Sequence, residues 1–180
     1  MSGIAGMVHA CGRPVDRSLL SNISACLSVR GPDGRGTWAE GTAGLVYTLS
    51  GAGAKPQQAF VIRGDLAIVA DARVDARDDL LQQFEPHERI ALRGSTDAEL
   101  ILSCYERWGD RCLDHLIGDF SFAIWDGRTQ SLLCARDQFG VKPLFYAATA
   151  DSEVLRRDLA GLIGELTRHQ LIEIVTSPES

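Results

Sequence analysis

The sequence predicts an α+β fold, a layered sandwich of antiparallel strands with helices gathered on the sheet faces. Three observations carry this reading. Short apolar segments recur at 3–9, 43–49, 60–63 and 66–70, separated by Gly-rich or charged turns. Phe120, Phe122 and Ile124 alternate with Ser121 and Ala123 before an Asp126-Gly127 turn, and 131–135 returns, which makes a hairpin with one very apolar face. Two helix starts are signalled by their caps, Asp16 ahead of Leu19, Leu20, Ile23 and Leu27, and Thr96 with Glu99 as a capping box.

In chain order, the first strand at 3–9 leads through Asp16 into a helix to about Val29, which Gly31-Pro32-Asp33-Gly34 ends. The glycines at 31, 34 and 36 lack the Gly-Lys-Ser/Thr ending of a phosphate loop and follow a helix where such a loop needs a strand, so this is a turn. Arg63-Gly64-Asp65 reads as a hairpin tip, and Asp75 with Asp78 as a capping pair for a helix to Phe84. Glu85 to Gly94 is expected to be an exposed loop, Thr96 to open a helix reaching Trp108, and 144–147 to form a short strand. Beyond about 151 the spacing of Val154, Leu155, Leu159, Leu162, Ile163 and Leu166 predicts an amphipathic helix over 153–168, followed by a strand at 171–175 and a frayed tail. The reading is therefore one domain over 1–150 and a distinct C-terminal helix and tail over 151–180.

Composition narrows the function classes. With 180 residues, 45% apolar and 23% charged, the chain can bury a real core. It carries no apolar run of membrane-spanning length and no signal-peptide layout at its start, which predicts a cytoplasmic protein without a membrane partner. A net charge of −6 without a basic stripe argues against nucleic acid. The five cysteines are scattered without CxxC pairs and read as reduced core thiols, and His9 with Cys11 lacks a second ligand pair, so neither metal nor cofactor is expected in this chain.

Ser2 stands directly behind Met1. Removal of Met1 would place a hydroxyl nucleophile and a free α-amine, the base that could activate it, on one residue. The alternative is that Ser2 is only a small second residue that permits Met1 removal, and position alone leaves both open.

Five motifs in order resemble the class II glutamine amidotransferase domain of asparagine synthetases. They are Ser2-Gly3-Ile4-Ala5-Gly6, Arg30-Gly31-Pro32-Asp33-Gly34, Ser95-Thr96-Asp97-Ala98-Glu99, the run from Leu116 to Asp126, and the run from Ala135 to Tyr146. The resemblance implies a four-layer αββα N-terminal-nucleophile hydrolase sandwich of two antiparallel sheets. In that family a terminal Cys attacks the side-chain amide of glutamine and ammonia passes to a synthetase domain. Here the nucleophile position holds Ser2, a weaker nucleophile.

The resemblance also aligns the glutamine pocket. Leu49 falls where the family has an Arg for the substrate carboxylate, Ala70 where it has an oxyanion-donating Asn, Asp71 in place of a Gly, and Ala72 in place of a Glu. Asp97 matches the Asp that contacts the substrate amine, although an Asp at the first position of a capped helix also suits the helix dipole. The pattern implies a degenerate pocket, as in β-lactam synthetases and lasso-peptide cyclases, and Ala70 to Leu80 looks most like the cyclase version. No Ser-Gly-Gly-x-Asp-Ser loop for ATP is present, so ATP and Mg are expected only in a synthetase partner, in trans or in a longer parent chain.

The leading expectation is a scaffold for that partner without glutaminase activity. Two alternatives are an active Ser2-dependent amidohydrolase and a functional glutamine-hydrolysing asparagine synthetase domain. The apolar surface that such a domain presents to its synthetase further predicts that a lone domain self-associates as a homodimer.

Overall fold

The computed structural model describes residues 2–9, 12–51, 59–148 and 153–156. Two antiparallel sheets face each other. In the first, β2 (Gly34–Glu40), β3 (Ala43–Leu49), β1 (Gly3–Val8), β9 (Glu153–Arg156) and β8 (Phe145–Ala148) lie in that spatial order. In the second the order is β4 (Phe60–Arg63), β5 (Leu66–Asp75), β6 (Ile117–Asp126) and β7 (Ser131–Arg136). All the paired strands in both sheets are antiparallel.

The period of two along the strands sorts the side chains into three buried layers. Ala5, Met7 and Val46 point outward to Leu20, Ile23 and Leu27 of α1 (Arg17–Leu27). Ile4, Ala43 and Leu45 point inward and meet Ala67, Val69, Ala123 and Trp125 of the second sheet. The alternate residues of that sheet, Ile68, Ala70, Ala72, Val74, Phe120, Phe122 and Ile124, pack on the far side against Leu100, Ile101 and Cys104 of α4 (Asp97–Trp108). The result is the expected α+β arrangement, two antiparallel sheets with helices outside them.

Local chemistry sets the helix starts. The Asp16 carboxylate accepts the Ser18 N–H at 2.8 Å, and the Thr96 and Glu99 side chains cap α4 reciprocally. Two expectations fail in this region. Asp75 does not cap the next helix; the N-cap of α2 (Arg77–Gln82) is Ala76, which makes no side-chain cap and sits in the left-handed region at φ 50°. The stretch read as a loop contains α3 (Pro86–Leu92), because Glu85 and Glu88 form a second capping box and Pro86 takes the first helical position. Strand β2 was also hidden, since Gly34, Gly36 and Arg35 give an edge strand no apolar alternation to read.

The helix expected over 153–168 is corrected at its start. Glu153–Arg156 form β9, which fills the space between β1 and β8 and satisfies the edge of β1 opposite β3. Helical spacing in the sequence is overridden here by two rows of backbone hydrogen bonds. The remainder of that helix, the strand at 171–175 and the tail lie outside the described residues. Cys26 is exposed, whereas Cys104 and Cys112 are buried, and burial pushes both of those thiols up to about 12, so they behave as apolar core. No helix among the described residues is long and apolar enough to cross a membrane.

Ala76→Gly should raise stability by about 0.5 kcal/mol in urea unfolding, because relief of the left-handed strain, roughly 1 kcal/mol, exceeds the added freedom of the unfolded chain. Gly31→Ala should lower it by roughly 2 kcal/mol, since its Cβ would lie 2.5 Å from the Leu49 backbone nitrogen.

Candidate functional site

A narrow pocket opens where the N-terminal end of β1 meets β5 and the start of α4. It is lined by Ser2, Ala59, Ala70, Asp71, Ala72, Asp97 and Ala98, and its interior admits about one water molecule. Thus five of the six residues singled out from the sequence, Ser2, Ala70, Asp71, Ala72 and Asp97, come together. Leu49 does not join them among the described lining residues; it ends β3, its backbone packed on Gly31 and its side chain against Gly34. Ala59 and Ala98 complete the wall with methyl groups.

Ser2 is buried, 3% exposed, one residue before β1. The next residue anchors that strand: the Gly3 N–H donates to Thr48 Oγ1 at 3.1 Å, and a Cβ on Gly3 would stand 2.8 Å from the same hydroxyl. A glycine is therefore required directly behind the candidate nucleophile, for space rather than for an unusual φ.

Both carboxylates of the pocket face cations from elsewhere in the chain. Lys142 Nζ lies 3.2 Å from each oxygen of Asp71, and both groups are largely buried, with side-chain exposures of 17% and 5%. Burial holds the Lys142 ammonium below its usual range, and Asp119 and Asp137 nearby act against that while Arg73 adds to it. Asp97 Oδ1 accepts from Arg77 Nη1, and Arg77 Nη2 donates to the Ser95 carbonyl at 2.7 Å and to Ser95 Oγ at 3.3 Å. Burial raises the Asp97 carboxyl despite the Arg77 guanidinium beside it. Arg77 and Lys142 are the two charge partners of the pocket carboxylates that the sequence reading did not single out. Lys142 is 71 residues from Asp71 and Arg77 is 20 from Asp97, so no local spacing signals either pair.

A braced loop delivers Lys142. The Asp137 carboxylate accepts the backbone N–H groups of Phe139 at 3.1 Å, Val141 at 2.9 Å and Lys142 at 2.9 Å, and its own N–H donates to the Phe120 carbonyl. Gly140, at φ +65°, makes the turn inside this cradle. Burial pushes the Asp137 carboxyl up, but the N–H donors of Lys142, Val141, Phe139 and Phe120 together outweigh it and hold it below the ordinary carboxylate range.

Two facing antiparallel sheets between outer helices, with a buried Ser2 entering the first sheet beside a small pocket, define the N-terminal-nucleophile amidotransferase class. Solved structures agree on the fold. The glutamine phosphoribosylpyrophosphate amidotransferase from B. subtilis, complexed with ADP and GMP, superposes with a TM-score of 0.63 at 17% identity, over 86% of this chain and 41% of that one. The family model described as a glutamine amidotransferase domain matches residues 1–171, and the chain belongs to that family, in the class II form carried by asparagine synthetases.

Among its relatives, the asparagine synthetase [glutamine-hydrolyzing] 3 of Bacillus subtilis is 31% identical over 170 residues, 91% of this chain and 27% of that protein. A putative asparagine synthetase [glutamine-hydrolyzing] 2 of Methanocaldococcus jannaschii is 26% identical over 182 residues, covering 91% of this chain and 35% of its own length. The chain thus spans about a quarter to a third of the length of these curated relatives.

Lys142→Met should cost on the order of 3 kcal/mol in chemical denaturation, because it takes a cation away from the largely buried Asp71 carboxylate. Asp137 contributes stability that is fully present above the unfolded carboxyl pKa of about 3.9 and is lost as pH falls through its lowered folded value. In acid titrations of stability Asp137→Asn should therefore flatten the loss below about pH 4 while lowering the plateau at neutral pH.

Proposed function

We propose that this chain is a degenerate glutamine amidotransferase domain that serves an asparagine-synthetase-like, ATP-dependent amide-forming system as a structural or partner-binding module. The observation that carries the reading is the closed state of the Ser2 pocket. Among the described residues its two carboxylates face Lys142 and Arg77, its other walls are Ser2 and alanines, and its interior has room for about one water. A bound glutamine needs a cation for its α-carboxylate and an oxyanion donor at its side-chain amide, and Leu49 and Ala70 at the aligned positions provide neither. Loss of one oxyanion donor alone removes about a hundred- to a thousandfold in rate.

The synthetase partner supplies ATP and Mg chemistry, in trans or within a longer chain, as the fusion in asparagine synthetases supports. The sequence likeness of Ala70 to Leu80 to lasso-peptide cyclases favours a partner that joins an amine already present in its substrate and needs no ammonia. Self-association and a cytoplasmic location belong to the same proposal.

One observation favours a second reading. Ser2 itself lines the pocket, which is where an N-terminal nucleophile of an amidohydrolase with a small substrate would stand.

A glutaminase assay of the Ser2→Cys chain, with intact mass to establish the state of residue 2, separates these. The proposal expects no ammonia release above background and no adduct with 6-diazo-5-oxo-norleucine. Robust ammonia release would sink it, and an adduct on Ser2 of the Met1-free wild type would favour the amidohydrolase.

A further inference from the structure

We infer that the outer edge of β4 is where a second copy of this chain docks, its own β4 lying antiparallel to the first about a two-fold axis at Val61. The inference rests on the self-association included in the proposed function and names the surface that carries it.

The direction of each backbone group in β4 follows from the ladder it shares with β5. The Ala70 N–H donates to the Ala59 carbonyl at 2.8 Å, and the register pairs Phe60 with Val69, Val61 with Ile68 and Ile62 with Ala67. Hydrogen-bonded and non-hydrogen-bonded pairs alternate along antiparallel strands. Ala59, Val61 and Arg63 therefore turn their backbone groups to β5, while Phe60 and Ile62 turn theirs away. β4 ends the second sheet, and no strand meets those outward groups among the described residues. Two donors and two acceptors thus stand in a row on an open edge.

Edges are commonly guarded by lysine, proline or a bulge, and this one carries none of them. Phe60, Val61 and Ile62 bear no charge, and Ile62 is 52% exposed. Arg63, the one charged residue of the strand, is drawn aside to Glu106 and to Ser103 Oγ at 2.9 Å. A cleft of about 480 Å³, lined by Arg63 together with Glu88, Ala91 and Leu92, keeps α3 from closing over this end of the strand. By contrast β2, which ends the first sheet, carries Arg35, Glu40 and two glycines. Copies of a chain with net charge −6 repel one another, so an uncharged edge is where two of them approach with least repulsion.

The edge is complementary to itself. A two-fold axis at Val61 sets Phe60 opposite the partner's Ile62, and Ile62 opposite the partner's Phe60. These are the residues whose backbone groups point outward, so each pair exchanges two hydrogen bonds and every outward group finds a mate. Side chains directly opposite share a face, which brings Ile62 against the partner's Phe60. Within each copy that Phe60 ring is already stacked on Tyr47 at 5.4 Å, so it is held ready for the contact. A register shifted by one residue would set outward groups against inward-turned ones and form no ladder. The strand is four residues long, so the dimer is weak and concentration-dependent.

The test is analytical ultracentrifugation of the full chain over a concentration series, with hydrogen exchange read at the Phe60 and Ile62 amides. A dimer should form as concentration rises, and both amides should be protected at high concentration and open at low. Ile62→Lys should weaken the dimer at least about tenfold, because it places a charge on the paired edge. The same change moves the net charge from −6 toward zero and would tighten a dimer limited only by repulsion. Ile90→Lys, an equal charge change at a side chain 75% exposed on α3, should leave the dimer intact.

A dimer that survives Ile62→Lys, or Phe60 and Ile62 amides protected alike at all concentrations, overturns the inference and leaves self-association standing. A monomer at every concentration overturns both. The exchange readout on the unmodified chain decides the matter whether or not the Ile62→Lys variant folds, and none of these results depends on ammonia release by the Ser2→Cys chain.

Discussion

The ten-residue pairing of β5 with β6 sets the geometry on which everything else depends. Register from Leu66 opposite Asp126 to Asp75 opposite Ile117 fixes which residues of β5 face the other sheet and which face α4. A slip of one residue would exchange Ala67 and Val69 for Ile68 and Ala70 and turn both buried layers inside out. The strand is apolar on both faces over its first half, as a strand buried on both sides must be. Its second half carries Asp71, Arg73 and Asp75 on one face, so the same alternation that builds the core also places charge where the sandwich opens at the pocket.

Charge in that opening is handled by compensation from a distance. A carboxylate buried without a cation would protonate or unfold its surroundings, and Asp71 and Asp97 avoid this through residues on separate segments. The Asp137 cradle turns the loop after β7 so that Lys142 arrives at Asp71, and the left-handed turn at Ala76 turns the chain after β5 so that Arg77 arrives at Asp97. In both cases a backbone device aims a long side chain. The carboxylates of the pocket wall are accordingly compensated by side chains that are not part of that wall.

Much of the fold was legible because it is written in local rules. The period of two in Phe120 to Ile124, the Asp16 cap and the Thr96-Glu99 box each act within a few residues, and each element formed where those signals stood. The membership of the pocket was legible through the resemblance of the framework motifs, which brought Ser2, Ala70, Asp71, Ala72 and Asp97 to one place. The misreadings have a common cause. Strand β9 looked helical because its apolar spacing is ambiguous over four residues, and the deciding partner, β1, is the first strand of the chain. Arg77 and Lys142 were silent because an ion pair across sequence leaves no periodic trace, and α3 was overlooked because its capping pair uses glutamate at both ends.

The placement of β9 has a consequence for how the domain comes to be made. β1 enters the first sheet between β3 and β9, so the strand that leads from Ser2 gains its second neighbour from residues 153–156. A chain emerging from the ribosome can complete the second sheet and its helices with residues up to Arg136, but the first sheet waits for nearly all of the described sequence. Long-range closure of this kind is slow and leaves an unpaired strand edge exposed meanwhile. The strand that leads from Ser2 is thus closed, on one of its two edges, by the described residues farthest from it along the chain.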